Sequence, residues 1–316
     1  MLKIRKILYP TDFSEPSQQA FAAAVFLAER YGAELHMLHV LALHAADPAD
    51  PEHTLPGVDE VYEQLSSAAD ARMRAAGETH ASTIELHQSQ VRGISAAAGI
   101  LEYAEQNDID IIVMGTHGRR GLRRFIMGSV AEEVVRLAGC PVLTTRAEEG
   151  ATTLERFDHI LVPIDFSEYS RVALDNAARL AADYGAHISL LHVVEEVVYP
   201  DFYYPVSAAG TIQVETLREE AQRRLDEMRS RLGPDTTTHV SIGRAAQEIA
   251  QFATDHDTDL IVIATHGLTG VESALLGSVA GRVTRMAPCS VLSIRSFGKS
   301  LLAGTNTSAA EAASVS

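Results

Sequence analysis

The sequence predicts an α/β protein built as two tandem, doubly wound, open parallel sheets of five strands each. Three observations predict it. The chain is written twice: ILYPTDFSEPSQQAFAAAVFLAERYGAELHMLHV (7–40) aligns without a gap with ILVPIDFSEYSRVALDNAARLAADYGAHISLLHV (160–193). Later stretches repeat in the same order, IDIIVMGTHG (109–118) as TDLIVIATHG (258–267) and GCPVLTTR (139–146) as PCSVLSIR (288–295). Within each copy short apolar runs alternate with helical periodicity, the signature of β-α-β units. The repeat is the size of a whole domain, far above the roughly 20–50-residue period of solenoid arrays.

In the first copy KILYP reads as a short apolar strand. Ser14 is placed to cap the next helix, with Pro16 in its first turn. Gly32, just after Tyr31, is placed to end that helix in a left-handed conformation. ELHMLHV is the second strand. A variable loop (44–57), a long helix (57–76), a third strand (82–91) and another helix (94–106) follow. IDIIVMG is the fourth strand, and its unbroken apolar run suits burial on both faces of a parallel sheet. After Gly128–Ser129 a helix sets Val130, Val134, Leu137 and Ala138 on one face, and PVLTT is the fifth strand. The second copy keeps that face with Val279, Val283, Met286 and Ala287. The boundaries read as a first domain over 1–147, a second over 154–296, and a disordered tail over 297–316.

Composition narrows the function classes. With 316 residues the chain has length for two domains, and its formal charge of −16 argues against nucleic acid, whose phosphates reward a basic surface. The same charge disfavours an anionic membrane surface, and apolar runs such as FAAAVFLA (21–28) are too short to span a bilayer. The N-terminal MLKIRKILYP runs straight into a strand pattern without a signal-peptide core, so a soluble cytoplasmic protein is expected. Of 26 basic residues only Lys3, Lys6 and Lys299 are lysines. Cys140 and Cys289 do not make a disulfide framework and read as small buried hydrophobes.

The chemistry concentrates in GTHGRRGLRRFIMGS (115–129). A phosphate cradle needs free backbone N–H groups, residues small enough to let the anion approach, and a helix N-terminus facing it. Gly115 and Gly118 follow a buried strand, while Gly128 and Ser129 precede an amphipathic helix, and the Ser129 hydroxyl can cap that helix or bond a phosphate oxygen. There is no Gly-Lys-Ser/Thr of a Walker A loop. On composition alone the stretch also reads as a plain strand-to-helix connection. In an open α/β sheet, ligands sit outside the carboxyl ends of the strands, where this loop, Thr11–Asp12 and Val40 all fall.

The pattern G-x2-G-x9-G-S after a hydrophobic strand, with P-x-D-F-S after the first strand and a THG triplet, resembles the universal stress protein family, and within it the ATP-binding branch in tandem form. The resemblance covers nearly the whole chain. It implies a Rossmann-like sheet of the adenine nucleotide alpha hydrolase-like type, and two halves that pair through their last strands as an internal pseudo-two-fold dimer, with a homodimer as a further candidate assembly. It implies ATP as ligand, with Mg²⁺ as a candidate companion. Pro10, Thr11, Asp12 and Val40 would surround adenine and ribose, while Met114, Gly115, Gly118, Arg119, Gly128, Ser129 and Val130 would hold ribose and phosphates. The second site would use Pro163, Ile164, Asp165, Val193, Ile263, Ala264, Gly267, Gly277, Ser278 and Val279. Ala264 departs from the pattern, standing where the first copy has Gly115.

Other residues are weighed against plainer roles. Asp12 and Asp165 are either helix-capping loop aspartates or nucleotide ligands, and a carboxylate there could also share Mg²⁺ with phosphates. Arg119, Arg120, Arg123 and Arg124 are either a solvated basic face or partners for a polyphosphate, and the second copy has none of them, which predicts weaker triphosphate binding there. His39 and His192, like His117 and His266, read as structural hydrogen-bonding groups, and no cluster with metal-ligand spacing is expected. The loop VVYPDFYYPVSAAG (197–210) is aromatic and reads as a contact segment. No nucleophile elbow or general base accompanies the glycine loop, so no catalytic residue is assigned. Three readings compete: a nucleotide-binding regulatory protein in a stress response, a slow ATP hydrolase, and an interaction scaffold with a degenerate second site.

Overall fold

A computed structural model describes residues 2–42, 46–47, 50–54, 58–78, 83–116, 127–146, 156–195, 208–265, 276–295 and 299–302. The chain forms two compact units, Lys3–Glu155 with Phe297–Ser316, and Arg156–Ser296 with Met1–Leu2. In chain order the first unit holds β1 (Lys6–Pro10), α1 (Glu15–Tyr31), β2 (Glu34–Leu41), β3 (Ala46–Asp47), β4 (Asp50–Thr54), α2 (Val58–Glu78), β5 (Leu86–Arg92), α3 (Ala96–Gln106), β6 (Ile111–Gly115), α4 (Ser129–Leu137) and β7 (Val142–Thr145). The second holds β8 (His159–Pro163), α5 (Glu168–Tyr184), β9 (His187–Val194), α6 (Ala208–Leu232), β10 (Thr236–Ile242), α7 (Ala245–Asp255), β11 (Leu260–Ala264), α8 (Ser278–Met286) and β12 (Ser290–Ile294).

The five strands of the first unit lie in the order β5-β2-β1-β6-β7, and every neighbouring pair is parallel. The second unit repeats this as β10-β9-β8-β11-β12, again all parallel. The expected alternation and parallel sheets are present in both. The loop expected at 44–57 contains the antiparallel ribbon β3–β4.

Local signals explain the helix ends. Ser14 is extended at φ −74° and ψ 160°, and its hydroxyl accepts the Ser17 N–H, with Pro16 in the first turn of α1. Gly32 ends the helix at φ 63°, a left-handed position that favours glycine. Ser167 and Gly185 do the same for α5. The inner face of α1 is nearly all small, with Ala20, Ala23, Ala24 and Ala28 buried around Leu27, which lets the helix lie close on the sheet. Ile7, Leu8, Leu35, Leu38, Ile112 and Val113 are fully buried in the first core. Asp110 ties β6 to the start of β1 by accepting the Arg5 and Lys6 N–H groups, and Asp259 repeats this with Asp158 and His159.

One boundary differs from expectation. The tail was expected to be disordered from residue 297, yet Lys299–Leu302 are held on the first unit. Leu301 is buried, its carbonyl accepts the Lys3 N–H, and the Lys299 N–H donates to the Gly139 carbonyl. The Lys299 ammonium pairs with Asp108 and Asp110, and this hydrogen bond and charge hold the Asp108 carboxyl below its ordinary range. An adjacent pair, Leu301–Leu302, among small residues gives too weak a periodic signal to reveal such docking. Residues 303–316 lie outside the described residues, as do 147–155 of the expected linker.

Candidate functional site at the carboxyl ends of the strands

Parallel pairing puts the carboxyl ends of each unit's strands on one edge. In the first unit β1 has β2 on one side and β6 on the other, so the direction of winding reverses at β1. That switch point is where an open α/β sheet leaves a crevice.

The chain leaves β1 through a constrained turn. Phe13 has φ 62°, a left-handed conformation costly for an aromatic residue, and Phe166 repeats it at 63°. Hydrogen bonds hold the turn in place. The Phe13 N–H donates to Thr11 Oγ1 at 3.0 Å, and Asp12 Oδ1 accepts both the N–H and the hydroxyl of Ser14, at 3.0 and 2.6 Å. Asp165 is engaged by Ser167 in the same way. Asp12 and Asp165 are thus half-buried turn residues at the strand end, with the capping done by the serine two positions on. His39 and His192 make the structural hydrogen bonds expected of them, each ring Nδ1 lying 2.7 Å from a backbone carbonyl, of Thr11 and of Ile164. Each also packs its ring on the strained phenylalanine. Val40 is half-buried beside α3, so close to Gly99 that a methyl group there would reach Val40 Cγ1 at 2.8 Å.

The end of β6 meets the start of α4. Met114 is buried and Gly115 lies against the first turn of α1. The Gly128 N–H donates to the Thr116 carbonyl at 2.8 Å, which joins the two ends of the intervening loop, and Gly277 and Thr265 repeat the bond. Ser129 is not the helix cap. Gly128 is extended at φ −64° and ψ 146°, so it occupies the cap position and Ser129 is the first helical residue, exposed to solvent. Glycine has no side chain to accept the helix's first N–H groups, and α4 has no side-chain cap bond; α8 begins identically at Gly277. Such a terminus presents unsatisfied donors and the positive end of the helix dipole to an anion. Val130 and Val279 are half-buried one position further on. Gly118, Arg119, Arg120, Arg123, Arg124 and Gly267 lie outside the described residues.

The two units differ at this edge. In the first, the buried Tyr9 hydroxyl lies 2.8 Å from Ser17 Oγ and 3.1 Å from Thr11 Oγ1. Burial raises the Tyr9 pKa, so the phenol stays protonated. In the second, Val162 and Ile164 replace Tyr9 and Thr11, and the half-buried Pro163 and buried Ile263 complete an apolar edge around half-buried Val193. Ala264 is accommodated there, since neither it nor Gly115 has a positive φ. The glycine in the first unit therefore serves close approach, not handedness.

Two groups of residues escape a reading of motifs. Arg72 on α2 lies 5.6 Å from the Phe13 ring centroid, and Arg224 on α6 lies 3.9 Å from that of Phe166. Each unit thus has a guanidinium beside its strained turn, including the one that lacks loop arginines. The available signal was an Arg followed by a buried apolar residue in each long helix, Arg72–Met73 and Arg224–Leu225. At the opposite end of the first sheet, Glu34, His36 and His87 converge, where no such cluster was expected. The signal was a Glu-x-His on one strand, but only the register of β5 reveals the third member.

The sequence profile of the universal stress protein family matches residues 3–146 and 156–295. A universal stress protein of Mycolicibacterium smegmatis is 28% identical over 295 residues, covering 92% of this chain and 96% of that protein. The universal stress protein MJ0531 of Methanocaldococcus jannaschii is 32% identical over 142 residues, 45% of this chain and 82% of that protein. Among solved structures, a universal stress protein from Archaeoglobus fulgidus is similar in fold, with TM-score 0.66 at 20% identity over 93% of this chain and 99% of that one. Among the described residues no helix is long and apolar enough to cross a membrane.

Proposed function

The chain belongs to the universal stress protein family, and from that premise we propose that it is a regulatory protein that binds an adenine nucleotide, ATP in the first instance, at the carboxyl ends of its strands. The observation that carries the reading is the glycine-capped N-terminus of α4, tied by Gly128 to Thr116 at the end of β6, next to the switch point at β1. Gly128 has no side chain to satisfy the helix's first N–H groups, which fits a polyphosphate.

In this reading Pro10, Thr11, Asp12 and Val40 enclose the nucleoside, while Met114, Gly115, Gly118, Arg119, Gly128, Ser129 and Val130 take the ribose and phosphates. Asp12 presents its carboxylate to a nucleotide hydroxyl or to a companion Mg²⁺. The corresponding positions of the second unit are Pro163, Ile164, Asp165, Val193, Ile263, Ala264, Gly267, Gly277, Ser278 and Val279. That unit has a less polar edge and no loop arginines, so it binds triphosphate more weakly. ATP supplies charge and a broad ligand surface whose occupancy biases conformation or assembly. In this reading ATP is retained rather than turned over.

Mass spectrometry of nucleotide retained by the purified chain, followed by measurement of ADP release, tests the proposal. Retained adenine nucleotide with negligible turnover is expected. Brisk ADP release would favour the hydrolase reading, and no binding at millimolar ATP would favour the scaffold.

A further inference from the structure

Glu34 and His36 are two positions apart on β2, so they point to one face of the sheet. His87 on β5 stands directly beside His36 in the parallel register, so it joins them on that face. One donor atom from each lies within 4.8 Å of the others. Glu34 Oε2 is 3.5 Å from His36 Nε2 and 3.8 Å from His87 Nε2, and the two rings stack with centroids 4.9 Å apart.

His36 gives the cluster its direction. It is 6% exposed, and its Nε2 is buried without a hydrogen-bond partner. Leaving such an atom unsatisfied is costly, so it calls for an explanation. The other ring nitrogen is engaged, with Nδ1 3.0 Å from the Tyr103 hydroxyl, which is itself 3.1 Å from Ser89 Oγ. When Nδ1–H donates to Tyr103, Nε2 is left as a bare lone pair aimed at Glu34 and His87. This is the outer-shell arrangement that orients metal-binding imidazoles.

The second unit supplies the comparison. There the positions of Glu34, His36 and His87 are held by His187, Ser189 and Thr237. Hydroxyls satisfy the imidazoles: His187 Nε2 is 3.0 Å from Thr237 Oγ1, and His159 Nε2 is 2.8 Å from Ser189 Oγ. The same place in the fold is a closed hydrogen-bond network in one unit and an open donor set in the other.

We propose that Glu34, His36 and His87 form a binding site for a divalent transition-metal ion, Zn²⁺ foremost, on the first unit only. Two imidazoles and a carboxylate are a ligand set that zinc accepts in tetrahedral geometry, with water or a further group in the fourth position. Zinc–ligand bonds of about 2.0–2.2 Å put neighbouring ligand atoms roughly 3.4 Å apart, close to the spacings from Glu34. The remaining adjustment falls on His87, which is half exposed and turns from Glu85 Oε1, now 3.2 Å away. Lys6 Nζ, 3.8 Å from Glu34 Oε2, competes for that carboxylate and swings to solvent when the ion enters. The site is independent of the nucleotide reading: Glu34 opens β2 and Val40 nearly closes it, about 20 Å apart at the rise of a strand.

The test is a Zn²⁺ titration of the chelator-stripped, nucleotide-free full chain, with Co²⁺ absorption as a report of geometry. One ion per chain and a tetrahedral Co²⁺ spectrum are expected. His87→Ala, at an exposed position that leaves the core intact, weakens binding about a hundredfold or more, and Tyr103→Phe about tenfold through loss of orientation. Lys6→Gln tightens binding, and His187→Ala in the second unit leaves it unchanged. Wild-type affinity in His87→Ala, or loss of the ion in His187→Ala instead, overturns the assignment, and so does the absence of any bound ion.

Discussion

A methyl group on Gly115 would lie 2.8 Å from the carbonyl oxygen of Pro16 and 3.0 Å from its carbonyl carbon. The end of β6 and the first turn of α1 touch through backbone alone. The neighbour is main chain in a capped helix, so it cannot move aside as a flexible side chain could. Gly115→Ala is therefore expected to destabilise the first unit by about 1–3 kcal/mol, read by denaturant unfolding. The reciprocal Ala264→Gly costs at most about 1 kcal/mol, the ordinary penalty of glycine in a strand. Equal costs would show that the two units approach their first helices alike.

Leu301 anchors the C-terminal segment with only 1% exposure. Leu301→Ala is expected to cost about 2–4 kcal/mol in the first unit, within the range for large-to-small changes at buried sites. Truncation after residue 298 is expected to match or exceed that loss, because it also removes Lys299 from Asp108 and Asp110. A truncated chain with unchanged thermal stability would contradict this.

Three histidines of the second unit set a pH dependence. Burial lowers the pKa of His192 and of His187, and burial together with the nearby His256, His159 and His187 lowers that of His239. Below the ordinary histidine value of about 6.5 the unfolded chain takes up protons that the folded imidazoles refuse. Stability is thus fully present above that value and is lost as pH falls from 6.5 through the lowered folded values. Thermal midpoints measured from pH 8 to pH 5 should be level and then decline, and replacing His239 with Gln should flatten the decline.

Arg224 stacks on the strained Phe166 in the unit that has no arginine in its glycine loop. Arg224→Ala should cost about 0.5–1 kcal/mol of stability from the lost ring contact. It should also reduce ATP affinity in the second unit by a larger factor than Arg72→Ala does in the first. Calorimetric titration of the two variants checks this, and equal losses would mean that the loop arginines add nothing in the first unit.

Much of this was legible from local physics. Ser14 and Gly32 announce the ends of α1 because a hydroxyl cap and a left-handed glycine act within a few residues. The buried run at 109–115 declares a central strand because both faces must be apolar. Features that depend on atoms meeting across the fold were not legible. Ser129 reads as a cap until the backbone shows Gly128 in that position. An aromatic residue is a poor candidate for positive φ, so nothing in DFS reveals the strained Phe13. Arg72 comes to the turn only through the packing of α2, and His87 meets His36 only through the register of β5. Leu301 lacked any periodic context.

Ser129→Asp tests most directly whether the glycine-capped start of α4 receives phosphate. A carboxylate at this exposed first helical position favours the helix through its dipole by about 0.3–1 kcal/mol while repelling an anion. Titration of the full-length wild type and Ser129→Asp with ATP, alongside their thermal unfolding, should show the stronger ATP site lost while the thermal midpoint holds or rises. ATP binding as tight in Ser129→Asp as in the wild type would contradict the account.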